Sequence, residues 1–331
     1  MADEQHSRFS VVRDPGGEGY VVPGTGLWFG GDMTVSFGAP EGAPAFLELD
    51  DMSLLLRYEP TARVAFFSEL RLENALELEE AIGVAEGPAD IQVERLYLDV
   101  LLTPHLTLRG GKFFTPFGLW NVIHRAPLTW SVDAPEVIEE TFPKRATGLS
   151  LVYQTTWHGW SFDATGYGPA QDELALRRTT DDGLMAGART TLGRPFGPVY
   201  GALGLSAMGF EDRTEDADRS RWAEAYGTDL ELTFRGNQLM GEFEYTHLRG
   251  PGGPREYGFY LQDAIPITDT LYGVLRVEHL RLRDEGDGTG GLVGLFWRPR
   301  RYLILKADYQ FGDRLGDALE PGFIASVTLF F

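Results

Sequence analysis

From residue 26 onward, apolar and polar residues alternate with a period of two through one stretch of the chain after another. Leu27, Phe29, Met33, Val35 and Phe37 fall on one parity, and Trp28, Asp32, Thr34 and Ser36 on the other. Beyond the Pro/Gly-rich stretch 39–44, Met52, Leu54, Leu56 and Tyr58 oppose Asp51, Ser53 and Arg57. A third segment sets Val64, Phe66, Leu70 and Leu72 against Arg63, Glu69, Arg71 and Glu73. A fourth sets Leu96, Leu98, Val100 and Leu102 against Arg95, Tyr97 and Asp99, and a fifth sets Leu106 and Leu108 against Arg109. Successive side chains of a strand point to opposite faces, so each segment predicts a strand with one apolar and one polar face. The rhythm returns near 147–155, 160–168, 183–192, 199–210, 222–234, 238–248, 255–263, 270–282, 291–298, 302–311 and 322–331, which predicts about sixteen strands in all.

Strand length decides what kind of sheet this is. Soluble sheets average about five or six residues per strand. The segments here run near the ten or so that a tilted strand needs to cross hydrocarbon. Short connections such as Arg235-Gly236-Asn237 alternate with longer acidic or Gly-rich ones, the turn and loop asymmetry of a membrane barrel. The expectation is an all-β fold: a transmembrane antiparallel β-barrel over residues 26–331, preceded by a segment 1–25 that is periplasmic or enters the lumen. No stretch reaches ~20 consecutive apolar residues, and the mean hydropathy is −0.18, so membrane-spanning helices are excluded. Averaged hydropathy misses spanning strands, because only half of their residues face lipid.

Composition adds modest support. Aromatic residues make up 12% and there are 41 glycines, which suits interfacial girdles and bending strands. The chain has no cysteine, and its net charge of −20 leaves no basic surface for nucleic acid. The amino-terminal residues Met1-Ala2-Asp3-Glu4-Gln5 lack a basic region followed by an apolar core, so the chain reads as a mature sequence whose signal peptide has been removed.

Two connections are longer than turns. Residues 74–90 predict a loop with room for a helical turn at Leu76, Glu79 and Glu80. Residues 112–146 carry Phe113, Phe114, Phe117, Trp120, Pro127, Trp130, Pro135, Phe142 and Pro143, an apolar content that suits packing against protein better than solvation. At the other end of the chain, Phe323, Ala325, Val327, Leu329 and Phe331 share one wholly apolar parity.

These features carry a resemblance. A final strand of alternating apolar residues ending in Phe331 resembles the assembly signal of bacterial outer-membrane barrels, with Phe323, Val327, Leu329 and Phe331 as its residues. The stretch Gly110-Gly111-Lys112-Phe113-Phe114-Thr115-Pro116-Phe117-Gly118 resembles a segment of the phosphate-selective-type (O/P) porins. The resemblance implies that the connection after strand five folds inward as a constriction loop. It also implies a homotrimer in the outer membrane, in contact with lipid and lipopolysaccharide and inserted by the barrel assembly machinery. The basic ladder of phosphate-selective members is missing here, so the likeness extends to fold and not to phosphate.

Parity then nominates the pore. Arg57, Arg71, Arg95 and Arg109 point inward on strands two to five, while the loop offers Lys112 and Arg125 with the acids Asp133, Glu136, Glu139 and Glu140. The expected arrangement is a basic wall facing an acidic loop, a transverse field that orients solutes. Inward acids outnumber inward bases over the whole wall, which predicts a weak preference for cations. No Gly-x-Ser-x-Gly, His-Glu-x-x-His or phosphate-binding loop is present, and the histidines lack metal-ligand spacing. The sequence therefore predicts a passive channel for small hydrophilic solutes, without cofactor, metal or catalysis. The alternatives are a barrel whose lumen is plugged or holds a partner protein, and, further off, an outer-membrane enzyme.

Overall fold

The structure, a computed structural model, describes residues 19–79, 83–85, 90–123, 125–171, 183–213, 220–249, 255–282, 286–313 and 321–331. Sixteen long strands form the wall: Leu27–Pro40 (β1), Phe46–Thr61 (β2), Val64–Glu79 (β3), Asp90–Thr103 (β4), Leu106–Phe114 (β5), Arg145–Trp157 (β6), Trp160–Gln171 (β7), Leu184–Phe196 (β8), Val199–Arg213 (β9), Ser220–Phe234 (β10), Asn237–Leu248 (β11), Arg255–Pro266 (β12), Leu271–Leu282 (β13), Gly286–Arg300 (β14), Leu303–Gly312 (β15) and Gly322–Phe330 (β16). Each pairs antiparallel with the next, and β16 returns to β1 from Gly322↔Pro40 to Phe330↔Asp32. The sheet therefore closes on itself with no free edge.

The carboxy-terminal residue finishes the seam: Phe331 and Gly31 exchange two main-chain bonds of 3.0 Å. Two further strands are short. Tyr20–Val22 continues the ladder along β1 at Leu27–Phe29, and Gly83–Ala85 pairs with the end of β3. The predicted loop 74–90 is thus shorter than its sequence suggested, because residues 74–79 prolong β3. Leu76 and Leu78 keep the parity of Leu70 and Leu72, and a continued period of two outweighs the local helical signal. Arg63 lies in the turn between β2 and β3, outside the wall in which parity placed it. Residues 1–18 of the expected amino-terminal segment lie outside the described residues.

The pleat sorts side chains as the alternation requires. On β2, Leu54 is 50% exposed while its neighbour Leu55 is 0% exposed. The exposed apolar parity forms the outer surface, and Phe323, Val327, Leu329 and Phe331 all lie on it. A charge facing lipid at mid-depth costs about 2–4 kcal/mol, which confines the charged parity to the interior. The apolar core sits inside the barrel. Phe67, Tyr97, Phe113, Met208, Met240, Tyr260 and Leu280 of the wall cluster with Phe117, Trp120, Val137, Ile138 and Phe142 of the connection between β5 and β6.

Candidate functional site

That connection turns inward at a tied neck. Thr115 N–H donates to Lys144 O at 2.9 Å, and the buried Asn121 amide bridges Thr115 O and Lys144 O at 2.8 and 3.1 Å. Gly118 follows with φ of 64°, and a Cβ there would lie 2.0 Å from the Glu242 carboxylate. Only glycine fits both the left-handed backbone and that approach.

Glu242 on β11 then takes three donors: the main-chain N–H groups of Leu119 and Trp120 at 2.7 Å each and the Tyr260 hydroxyl at 2.6 Å. Trp120 opens a short helix, Trp120–Ile123 (α1), and its ring meets Tyr260 edge-on at 5.9 Å. The chain continues across the lumen. Arg125 bonds Asp32 on β1 and lies 3.7 Å from Glu69 on β3. Trp130 sits among Tyr272 and Phe296, at 4.7 and 4.8 Å between ring centres, with its indole N–H on Gln238 at 2.7 Å.

The far wall grips the main chain of the loop. Val132 N–H donates to Asp308 at 2.6 Å and Glu136 N–H to Glu278 at 3.0 Å. Lys306 and Arg276 donate in return to Ser131 O and Asp133 O, at 2.8 and 2.9 Å. The second short helix, Glu136–Glu140 (α2), leads to Thr141, whose hydroxyl bonds Glu244 and whose carbonyl accepts from Thr246 at 2.8 Å.

The nominated residues are distributed differently from the expected field. Arg95 pairs with Glu69 and stacks over Phe67 at 4.6 Å. Arg109 makes two 2.7 Å bonds to Asp99 and lies 3.8 Å over the Tyr97 ring. Both guanidiniums are buried, at 4% and 7% exposure, so the wall itself answers their charge. Arg71 pairs with Asp51 at 3.2 Å and Arg57 with Glu59 at 2.5 Å, both partly exposed. Lys112 is buried. Asp133 meets Gln310 of β15 and Arg276 of β13, away from the arginines of β2 to β5, and burial raises its carboxyl above the usual range. Glu139 pairs with Lys144 within the loop itself, while Glu136 meets the wall through its N–H. The side chain of Glu140 lies outside the described residues. Burial, aided by the neighbouring Arg145, lowers the Lys144 ammonium to about 8. The loop's basic Arg125 thus faces wall acids, the reverse of the polarity that sequence alone suggested.

Glu242, Glu244, Glu278 and Asp308 are among the inward acids of the wall by parity, which does not assign them the loop. Parity reports the face a residue occupies but not its depth, and a main-chain N–H leaves no mark in a sequence.

No family model matches the chain. A protein of Aquifex aeolicus without assigned function is 29% identical over 115 residues, which span 33% of this chain and only 25% of that protein. Solved structures are similar over nearly the whole chain. The outer-membrane-expressed OmpT of Vibrio cholerae superposes with a TM-score of 0.64 at 13% identity, over 95% of this chain and 100% of that one. OmpF of Salmonella typhi gives 0.62 at 12% identity, over 95% and 99%. The anion-selective porin from Comamonas acidovorans gives 0.61 at 13% identity, over 92% and 98%. The chain therefore has the sixteen-stranded closed fold that these porins share.

Proposed function

We propose that this protein is an outer-membrane porin, a passive diffusion channel for small hydrophilic solutes and ions with a weak preference for cations. The observation that carries the reading is the loop between β5 and β6, held inside the lumen by main-chain bonds to Glu242, Asp308 and Glu278. A loop fixed in this way narrows a water-filled barrel without closing its wall. The net charge of −20 favours cations through long-range potential. The same reading makes the barrel a homotrimer among outer-membrane lipid and lipopolysaccharide, inserted by the assembly machinery through the strand ending in Phe331. An in-vitro folded OmpT is described in a trimer form, which supports that part. The stretch 110–118 keeps its likeness to the phosphate-selective type, but the acidic balance argues against phosphate as the solute.

A second reading has its own observation. The apolar cluster of Phe117, Trp120, Val137, Ile138 and Phe142 against the wall suits a loop that closes the lumen, leaving a plugged barrel or a scaffold. Single-channel recording in planar bilayers separates the two. Steps of conductance from the folded wild-type protein support the channel. Silence from wild type, with conductance appearing when residues 116–143 are replaced by a short Gly/Ser turn, selects the plug.

A further inference from the structure

The seven short turns that join β2–β3, β4–β5, β6–β7, β8–β9, β10–β11, β12–β13 and β14–β15 lie at one end of the barrel, the periplasmic end in a porin. Within three residues of them stand Arg63, Arg194, Arg235, Arg298, Arg300 and Arg301, against only Glu59 and Asp269. The whole chain has 29 basic and 49 acidic residues, so the short turns, even with the carboxylate of Phe331 ending at their level, run against the balance of the molecule.

Its arginines also differ from those of the lumen. Arg63, Arg235, Arg300 and Arg301 are exposed. Among the described residues, none of Arg63, Arg194, Arg235, Arg300 and Arg301 pairs with a carboxylate. Two of them lie over rings instead. Arg194 lies 5.0 Å over Trp160 and Arg235 lies 5.1 Å over Phe234, both rings on the outer face, whereas Arg298 lies over the buried ring of Phe330 on the inner face. Around them Trp157, Phe196, Trp297 and Tyr302 project outward at 71%, 54%, 47% and 54% exposure. Exposed aromatics of this kind settle at the level of lipid headgroups. Arginines held at the same height therefore meet the headgroup phosphates rather than the open lumen.

We propose that this collar binds anionic phospholipid of the periplasmic leaflet, phosphatidylglycerol in preference to zwitterionic phosphatidylethanolamine. A basic residue near an anionic membrane surface contributes about 1 kcal/mol, a preference of about fivefold each. The proposal rests on the outer-membrane reading and is independent of whether the lumen conducts.

The test is native mass spectrometry of the folded barrel from detergent micelles containing equal phosphatidylglycerol and phosphatidylethanolamine. Wild type should retain phosphatidylglycerol preferentially. The triple variant Arg235→Gln, Arg300→Gln, Arg301→Gln should lose at least about tenfold of that preference, and the triple lysine variant should keep most of it. Arg249→Gln, at the opposite rim where Arg249 pairs with Glu224, should leave it unchanged. Equal retention of the two lipids by wild type would overturn the proposal, as would an undiminished preference in the folded glutamine variant. Displacement of the retained lipid by excess inorganic phosphate would also overturn it, since a free anion would then suffice. Failure of the outer-membrane reading looks different: the barrel would not partition into lipid vesicles at all.

Discussion

On β3 to β5 a lumen carboxylate meets an arginine of the neighbouring strand, whereas on β11, β13 and β15 it meets a main-chain N–H of the loop. Glu69 and Asp99 belong to the first kind, with Arg95 and Arg109 as partners. Glu242, Glu278 and Asp308 belong to the second. Both solutions answer the same cost, that of placing an ionised group where water is scarce. They differ in what they build. Pairing within the wall stiffens the wall; Asp99 and Arg109 engage each other there, and Glu69 also reaches the side chain of the loop's Arg125 but no loop main-chain group. Pairing with the loop makes its position a property of the far wall, and Lys306 and Arg276 complete the grip by donating to loop carbonyls. The contrast implies that wall acids on the two sides are not interchangeable, although parity makes them look alike.

The largest effect is expected on the loop side. Glu242→Ala leaves the N–H groups of Leu119 and Trp120 and the Tyr260 hydroxyl without their acceptor, at about 1–3 kcal/mol for each donor that stays unsatisfied. The denaturant midpoint should fall and single-channel conductance should rise as the loop leaves the wall. Glu242→Gln, which keeps one acceptor oxygen, should fall between the two. A normal conductance in the alanine variant would show that the wall acids do not position the loop.

Arg109→Ala sharpens the comparison from the other side. Removing one partner of a buried pair costs about 3–5 kcal/mol, because Asp99 is left uncompensated. The expected outcome is lower stability with conductance near wild type, read from the same unfolding and bilayer measurements. A change in conductance as large as that of Glu242→Ala would erase the distinction between the walls.

The smallest effect concerns Lys144 at the loop's neck. Its ammonium is held down to about 8, below the ordinary lysine range, so it is charged below that pH and neutral above it. Between about 8 and the ordinary lysine value of 10.5 the unfolded chain holds a proton that the folded chain has lost, so this group's contribution to stability rises with pH there. On the channel reading, selectivity should shift toward cations as the pH passes from a unit below about 8 to a unit above it, since the neck loses a positive charge. Reversal potentials in a salt gradient measure this, and Lys144→Gln should flatten the step. A step that persists in the variant would assign it to another group.

Much of the molecule was legible in the chain. Alternation at period two, strand lengths near ten residues and the short and long connections led to a closed barrel of about sixteen strands, and sixteen close in the structure. Even the error at 74–79 is instructive, since Leu76 and Leu78 stay in phase with Leu70 and Leu72. The apolar residues of 112–146 announced packing against protein, and Phe117, Trp120 and Phe142 are buried inside the barrel. The site was less legible. Arg95 and Arg109 look like pore charges by parity and are buried in pairs. Glu242 looks like any other inward acid and holds the start of the loop.

The division has a physical origin. Burial from water or exposure to lipid acts on each side chain separately, so the faces of the strands are written residue by residue and can be read that way. Which charge answers which depends on register across strands far apart in sequence, as with Arg125 and Asp32 or Val132 and Asp308. The bonds that fix the loop are largely made by its main chain, which is the same in every sequence. Only closure of the barrel brings those N–H groups to particular carboxylates, and only the folded structure identifies them.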